Sequence, residues 1–83
     1  MCRNITTLRG LDPQATAEEI EAAARQYVRK VSGVQSVSAN TEAAFELAVR
    51  RVTDATTELL ASLPPRKQPP ATVPPLRRLR HAG

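Results

Sequence analysis

Two stretches of the chain repeat apolar residues at the spacing of an α-helix. The members of the first recur every three or four positions: Ile20, Ala23, Ala24, Tyr27, Val28 and Val31. A stripe of this kind is typical of a helix that buries one face. Thr16 and Glu19 form a capping-box pattern ahead of the stripe, and Gly33 after it can adopt the left-handed conformation that ends a helix. These features predict a helix over about 17–31.

The second apolar stripe is longer, and neither Pro nor Gly interrupts it. Its members are Phe45, Ala48, Val49, Val52, Ala55, Leu59, Leu60 and Leu63. Ser38 or Asn40 offers an N-cap, which predicts a helix from about 39 to 62. Glu46 and Arg50 are four residues apart, so we expect them to pair on its exposed side. Because the connection between the two helices is short, the pattern predicts an all-α, antiparallel helical hairpin.

The predicted helices have unequal lengths, so part of the longer one has no helix to pack against. At about 1.5 Å per residue, a helix of about 24 residues exceeds one of about 15 by about 13 Å. One candidate cover is an N-terminal strap, in which Ile5, Leu8 and Leu11 recur every three residues. The other is a second copy of the protein, which would dimerise through the long helix. The pattern leaves both open.

After Leu63 the sequence changes character. Pro-Pro pairs recur every five residues, and apolar residues become scarce, which favours disorder. The net charge of +4 arises in this segment, whose charged residues are all basic: Arg66, Lys67, Arg77, Arg78 and Arg80. The sequence therefore predicts a small helical domain over 1–63 and a disordered, basic, Pro-rich tail over 64–83.

Composition argues against an enzyme and against a bound cofactor or metal. The chain has one Cys and one His, whereas a structural zinc site usually takes four such ligands. The single histidine, His81, lies in the predicted tail, where nothing would hold it for proton transfer. No stretch approaches the roughly 20 apolar residues of a membrane-spanning helix, and no secretory signal is visible. We therefore expect a non-catalytic, cytoplasmic protein.

Two sets of basic residues are candidates for contacts with anions. The tail cations would bind nucleic-acid phosphates weakly and without sequence preference. The alternatives are a short amphipathic turn over 76–80 on an anionic membrane or a partner, and a segment that is only a solubilising end. A second cluster would form near the end of the first helix if the strap folds back: Arg3, Arg25, Arg29 and Lys30. The alternative for that cluster is an ordinary solvated face.

Cys2 is the candidate reactive thiol. Arg3 and Arg9 would favour its thiolate, and removal of Met1 would place an amine beside the sulfur, which suits redox or metal chemistry. The alternative is a small apolar residue packed against the helices. The leading expectation remains a non-catalytic binding module whose partner is an unknown protein or a second copy of the chain.

Five motifs together resemble a small bacterial family known as domain of unknown function 2277. They are MCRNI at the start, PQATAEEI at 13–20, QYVRKVSG at 26–33, the pattern of Ser38, Asn40 and Ala44-Phe45, and LLASL at 59–63. The resemblance covers about residues 1–63, and the proline-paired tail departs from it. It implies a free-standing short protein in which MCRNI is part of the domain. It brings no activity, cofactor or partner with it.

Overall fold

The computed structural model describes residues 5–64, Pro74 and Leu76, and within this part the chain forms two helices and no strand. Helix α1 spans Ala17–Ser32 and helix α2 spans Glu42–Ser62. The predicted all-α helical hairpin is confirmed. We call residues 5–16, which precede α1 without regular structure, the strap.

Helix α1 begins and ends as its sequence predicts. The Thr16 hydroxyl accepts a hydrogen bond from the Glu19 amide at 3.1 Å, and the Glu19 carboxylate accepts one from the Thr16 amide at 2.8 Å. This reciprocal capping box satisfies two amides that the first turn leaves without helical acceptors. At the other end Gly33 has φ +72° and donates its amide to the Arg29 carbonyl at 3.1 Å. The side chain of Val34 then packs against the core.

Helix α2 begins three residues later than its sequence predicts. Its N-cap is Thr41, and neither Ser38 nor Asn40 holds that position. The Ser38 carbonyl instead accepts from the amides of Thr41 and Glu42, and the Ser38 amide donates to the Thr41 hydroxyl at 2.9 Å. Because these bonds close a turn over 38–41 ahead of the helix, the predicted start at 39 is wrong.

The two helices pack antiparallel around a small aliphatic core. Ala24 and Val28 of α1 and Phe45 and Val49 of α2 are buried against one another. The second half of α2 runs back beside the beginning of α1, so that Ile20 and Leu60 line one groove. Because α2 has 21 residues and α1 has 16, α2 is about 8 Å longer.

The strap, one of the two candidate covers, lies on one flank of that longer arm. Leu8 is buried, and it lines a groove together with Ile20 and Leu60. The Arg9 guanidinium donates two hydrogen bonds to the Pro64 carbonyl, at 2.9 and 2.6 Å. These contacts fasten the strap across the start of α1 and the end of α2.

The predicted domain boundary at 63/64 lies close to the end of α2. Leu63 is extended and donates its amide to the Leu59 carbonyl. Most of the predicted disordered tail lies outside the described residues, although Pro74 is buried and Leu76 half-buried. Neither described helix is long and apolar enough to span a membrane.

Candidate interaction surface

One flank of the hairpin keeps an exposed apolar surface where α1 and α2 meet. An open groove runs along it, lined by Tyr27, Arg51, Val52, Ala55, Thr56 and Leu59. Tyr27 is 48% exposed and Leu59 is 54% exposed, although both belong to the apolar stripes of their helices. We call this surface the Tyr27–Leu59 face.

The Tyr27–Leu59 face is exposed because the strap reaches only the other flank of α2. Leu59 and Leu60 are neighbours in sequence, so their side chains leave the helix about 100° apart. Leu60 lies in grooves that Leu8 also lines and is half-buried, whereas Leu59 points away from the strap. The strap therefore covers only part of the excess apolar surface of α2.

A deeper groove lies beside the Tyr27–Leu59 face, between the strap and the two helices. Its volume is about 310 Å³. Among the residues that the structure describes, no charged side chain contributes to its lining, and the lining residues are Ile5, Thr6, Leu8, Ala23, Ala24, Tyr27, Val52, Thr56 and Leu60. Tyr27, Val52 and Thr56 border both grooves, so together they form one continuous surface.

One polar group in the deeper groove has no hydrogen-bond partner among the described residues. It is the hydroxyl of Thr6, which is buried. A buried hydroxyl left in this state costs about 1–3 kcal/mol, which a bound molecule with a suitable polar atom would recover. The arrangement suits a mostly apolar occupant with a polar group near Thr6.

On the other flank of the hairpin, an ion pair joins the two helices. Arg25 and Tyr27 are two residues apart, about 200° around α1. The Arg25 guanidinium donates to both carboxylate oxygens of Glu46, at 2.8 and 2.9 Å, and lies 3.7 Å from a carboxylate oxygen of Glu21. It also lies over the Phe45 ring, 5.7 Å from the ring centre. The predicted pair of Glu46 with Arg50 is replaced by this link between the helices.

The Arg25–Glu46 hydrogen bonds shift the ionisation of both groups. They raise the pKa of Arg25 above its usual value, and the Coulombic attraction of the same carboxylate adds to this effect. The hydrogen bonds from Arg25 lower the pKa of Glu46, against a smaller opposing effect of desolvation. Both groups are therefore ionised at neutral pH.

The predicted anion-binding cluster is only partly described, and its members differ in surroundings. Arg25 is occupied by Glu46 and Glu21, whereas Arg29 and Lys30 are exposed in the last turn of α1. Arg3 lies outside the described residues. The structure gives Arg25 a role in joining the helices, and anion binding at the remaining residues stays a prediction.

The other predicted site residues also lie outside the described part of the chain. These are the thiol candidate Cys2 and the tail cations Arg66, Lys67, Arg77, Arg78 and Arg80. Among the described residues, no group of three or more His, Cys, Asp and Glu side chains has a geometry that could hold a metal ion. Thiol chemistry and nucleic-acid binding remain predictions.

The sequence predicts an excess apolar surface on α2. It does not predict which residues of that surface stay exposed, or that the Thr6 hydroxyl lies in the neighbouring groove. The stripe included both Leu59 and Leu60, and only the path of the strap decides which of them stays exposed. Nothing in the sequence marked Thr6, because an isolated threonine in an irregular segment carries no pattern. Tyr27 was assigned to the core side of α1, and half of its surface is exposed.

A comparison with protein-family models gives one relevant match. A family described as an uncharacterized conserved protein (DUF2277) matches residues 1–82, which confirms the resemblance carried by the five motifs. The match extends well beyond residues 1–63, so the C-terminal segment is part of the sequence that the family shares. No curated protein and no solved structure matches the chain.

Proposed function

The chain belongs to the DUF2277 family of uncharacterized conserved proteins, and on that premise we propose that it is a non-catalytic module that binds another polypeptide through the Tyr27–Leu59 face. The observation that carries the proposal is the half-exposure of Tyr27 and Leu59 on one continuous apolar surface. A small domain gains stability by burying such residues, and exposed apolar patches commonly mark interaction sites.

The shape of the surface favours a polypeptide over a small molecule. Ligand pockets usually enclose most of their ligand and place several polar groups to orient it. The Tyr27–Leu59 face is open along its length, and the deeper groove beside it offers one unpartnered hydroxyl, that of Thr6. An extended apolar surface with few polar groups suits the apolar side of a helix.

The arrangement of ionisable groups supports a role without catalysis. Arg25, Glu46 and Glu21 hold one another on the opposite flank, and the described residues that line the deeper groove include no Asp, Glu, His, Lys, Arg or Cys. A general acid or base must lie within hydrogen-bond reach of the reacting group. The surface is therefore suited to binding.

A capture experiment with matched variants tests this proposal. Full-length protein, Leu59→Glu and Leu47→Glu serve as tagged baits in extract of the native host, and mass spectrometry quantifies what each retains. Leu47 is the control because it lies on the same helix and is 42% exposed, but about 120° around it from Leu59. We expect Leu59→Glu to reduce retention of the specific partner by at least about tenfold, since it would bury a charge in an apolar interface.

The control variant makes the result specific to the surface. Leu47→Glu should retain the same partner as the unchanged chain. Equal retention by all three baits would show that the Tyr27–Leu59 face does not bind the partner. Circular dichroism of each bait would establish that its helices are intact.

A further inference from the structure

We infer that the polypeptide bound by the Tyr27–Leu59 face is a second copy of this chain, in a two-fold dimer whose α2 helices cross antiparallel next to Ala55. The inference rests on the proposed function, because it names the partner of the same surface. Its basis is that the face is complementary to itself in both shape and charge.

The shape argument concerns a projecting side chain and an adjacent groove. The exposed side chain of Leu59 lies at one end of the groove that runs along the face, and Arg51 and Val52 line the other end. In a two-fold interface each residue meets the same partner position in both directions. An axis next to Ala55 places Leu59 of each copy over the groove at Arg51 and Val52 of the other.

Small residues at the centre allow the helices to approach. Ala55 lies between the two ends of the face and is exposed, and Ala48 is half-buried two turns earlier on the same side. Because Ala55 has no side chain beyond Cβ, the backbones can come close enough for Leu59 to reach the opposite groove. Such interlocking of large and small side chains is the general mode of helix packing.

The charge argument concerns residues that have no ion pair within one copy. Arg51 and Glu58 lie on the same side of α2 but seven residues apart, about 10.5 Å along the axis, too far to pair with each other. Asp54 and Glu58 are like charges four residues apart, which destabilises an isolated helix. Within the described part of the chain, none of these three residues forms a salt bridge.

A two-fold axis next to Ala55 gives Arg51 and Glu58 a partner of opposite charge. It brings Arg51 of each copy beside Glu58 of the other, and therefore offsets one of the two neighbouring acids. The interaction occurs twice by symmetry, so its contribution to the free energy of association is doubled. A peptide of unrelated sequence would not supply these charges at matching positions on both sides of Leu59.

The length of the helix sets the expected strength. Helix α2 has 21 residues and is about 31 Å long, which limits the contact to a small interface. Interfaces that bury less than about 1,200 Å² in total are usually weak. We therefore expect a dissociation constant in the micromolar range.

Sedimentation equilibrium of the full chain, between about 5 and 500 µM, tests the inference. The unchanged protein should pass from monomer to dimer across this range, and Leu59→Glu should remain monomeric. Arg51→Glu and Glu58→Arg should each weaken the dimer at least about fivefold through repulsion between copies. The double variant should return to within about twofold of the unchanged protein, because the pair is restored with its charges exchanged.

Arg50→Glu and Leu47→Glu are the matched controls. Arg50→Glu changes the net charge as Arg51→Glu does, about 100° further around α2, and should leave the dimer unchanged. A monomer at every concentration would overturn the inference, and so would a double variant no stronger than its single variants. If the chain is monomeric but the capture experiment finds another protein that Leu59→Glu releases, only the dimer is excluded. If nothing depends on Leu59 in either experiment, the proposed function fails as well.

Discussion

At the scale of single residues, Arg25 links the two helices through three kinds of contact. Its guanidinium forms two short hydrogen bonds to Glu46, a longer ion pair to Glu21, and a cation–π contact with Phe45. The two-point geometry fixes the orientation of both side chains more strictly than a single hydrogen bond would. Because Phe45 belongs to the core, Arg25 contacts both a carboxylate at the surface and a buried side chain.

The lowered pKa of Glu46 makes the stability of the hairpin depend on pH. Below neutrality the unfolded chain binds a proton at Glu46 before the folded protein does, so acid favours unfolding. The stabilisation by the pair is complete above the ordinary glutamate pKa of 4.5 and is lost as the pH falls through the lowered folded value. A double-mutant cycle with Arg25→Met and Glu46→Gln, measured by urea unfolding, should show coupling at pH 7 and none in strong acid. Equal coupling at both pH values would contradict this assignment.

A contact predicted from local spacing forms only where no contact between the helices competes with it. The capping box of Thr16 and Glu19 follows from a spacing of three residues, and the structure has it as predicted. The spacing of Glu46 and Arg50 is equally favourable, but Glu46 pairs with Arg25 instead. The choice depends on the rotation of α1 against α2, which the local spacing of charges does not determine.

At the scale of elements, the two helices begin in different ways, and this explains why only one of the two helix starts was predicted correctly. Helix α1 has a side-chain cap, which leaves a clear pattern in the sequence. Helix α2 follows a turn in which the carbonyl of Ser38 accepts two amides, and the Thr41 side chain makes no capping bond to the helix. Several residues between 38 and 41 are acceptable caps, so the sequence does not distinguish among them.

Gly33 is the residue on which the end of α1 depends. Its φ of +72° is costly for any residue with a Cβ, although nothing within 4 Å would obstruct that atom. We therefore expect Gly33→Ala to lower the free energy of unfolding by about 1 kcal/mol, for backbone reasons alone. Thermal unfolding should show a decrease in Tm of about 4–8 °C.

Asparagine provides the control for that substitution. It tolerates the left-handed region better than alanine, so Gly33→Asn should cost less than Gly33→Ala. Equal losses for the two variants would point to a role of Gly33 other than its backbone conformation.

At the scale of the whole molecule, the strap determines which surface the hairpin leaves open. The sequence showed that α2 carries more apolar surface than α1 can cover, and it offered the strap and a second copy as covers. In the structure the strap covers one flank of the longer helix, where Leu8 is buried, and Leu59 stays exposed on the other flank. This division was not predictable because the apolar residues of the strap do not specify its path.

Leu8 is the residue through which the strap contributes most to stability. It is 8% exposed, so Leu8→Ala should lower the free energy of unfolding by about 2–3 kcal/mol through lost burial and an incompletely filled cavity. Urea unfolding of the full chain measures this loss.

Ile5→Ala is the matched comparison within the strap. Ile5 is 43% exposed, so its truncation should cost less than about 1 kcal/mol. Similar losses at the two positions would show that Leu8 is not the main anchor.

The hydrogen bonds from Arg9 to the Pro64 carbonyl have a consequence for chain topology. They join two residues that are 55 positions apart in the chain. The strap therefore contacts the end of α2, and the chain from Arg9 to Pro64 forms a nearly closed loop. The acceptor is a main-chain oxygen, which every amino acid provides, so exchange of Pro64 would preserve it. Circular permutation, with these ends joined by a short linker and the chain opened between α1 and α2, would retain both helices and their contacts.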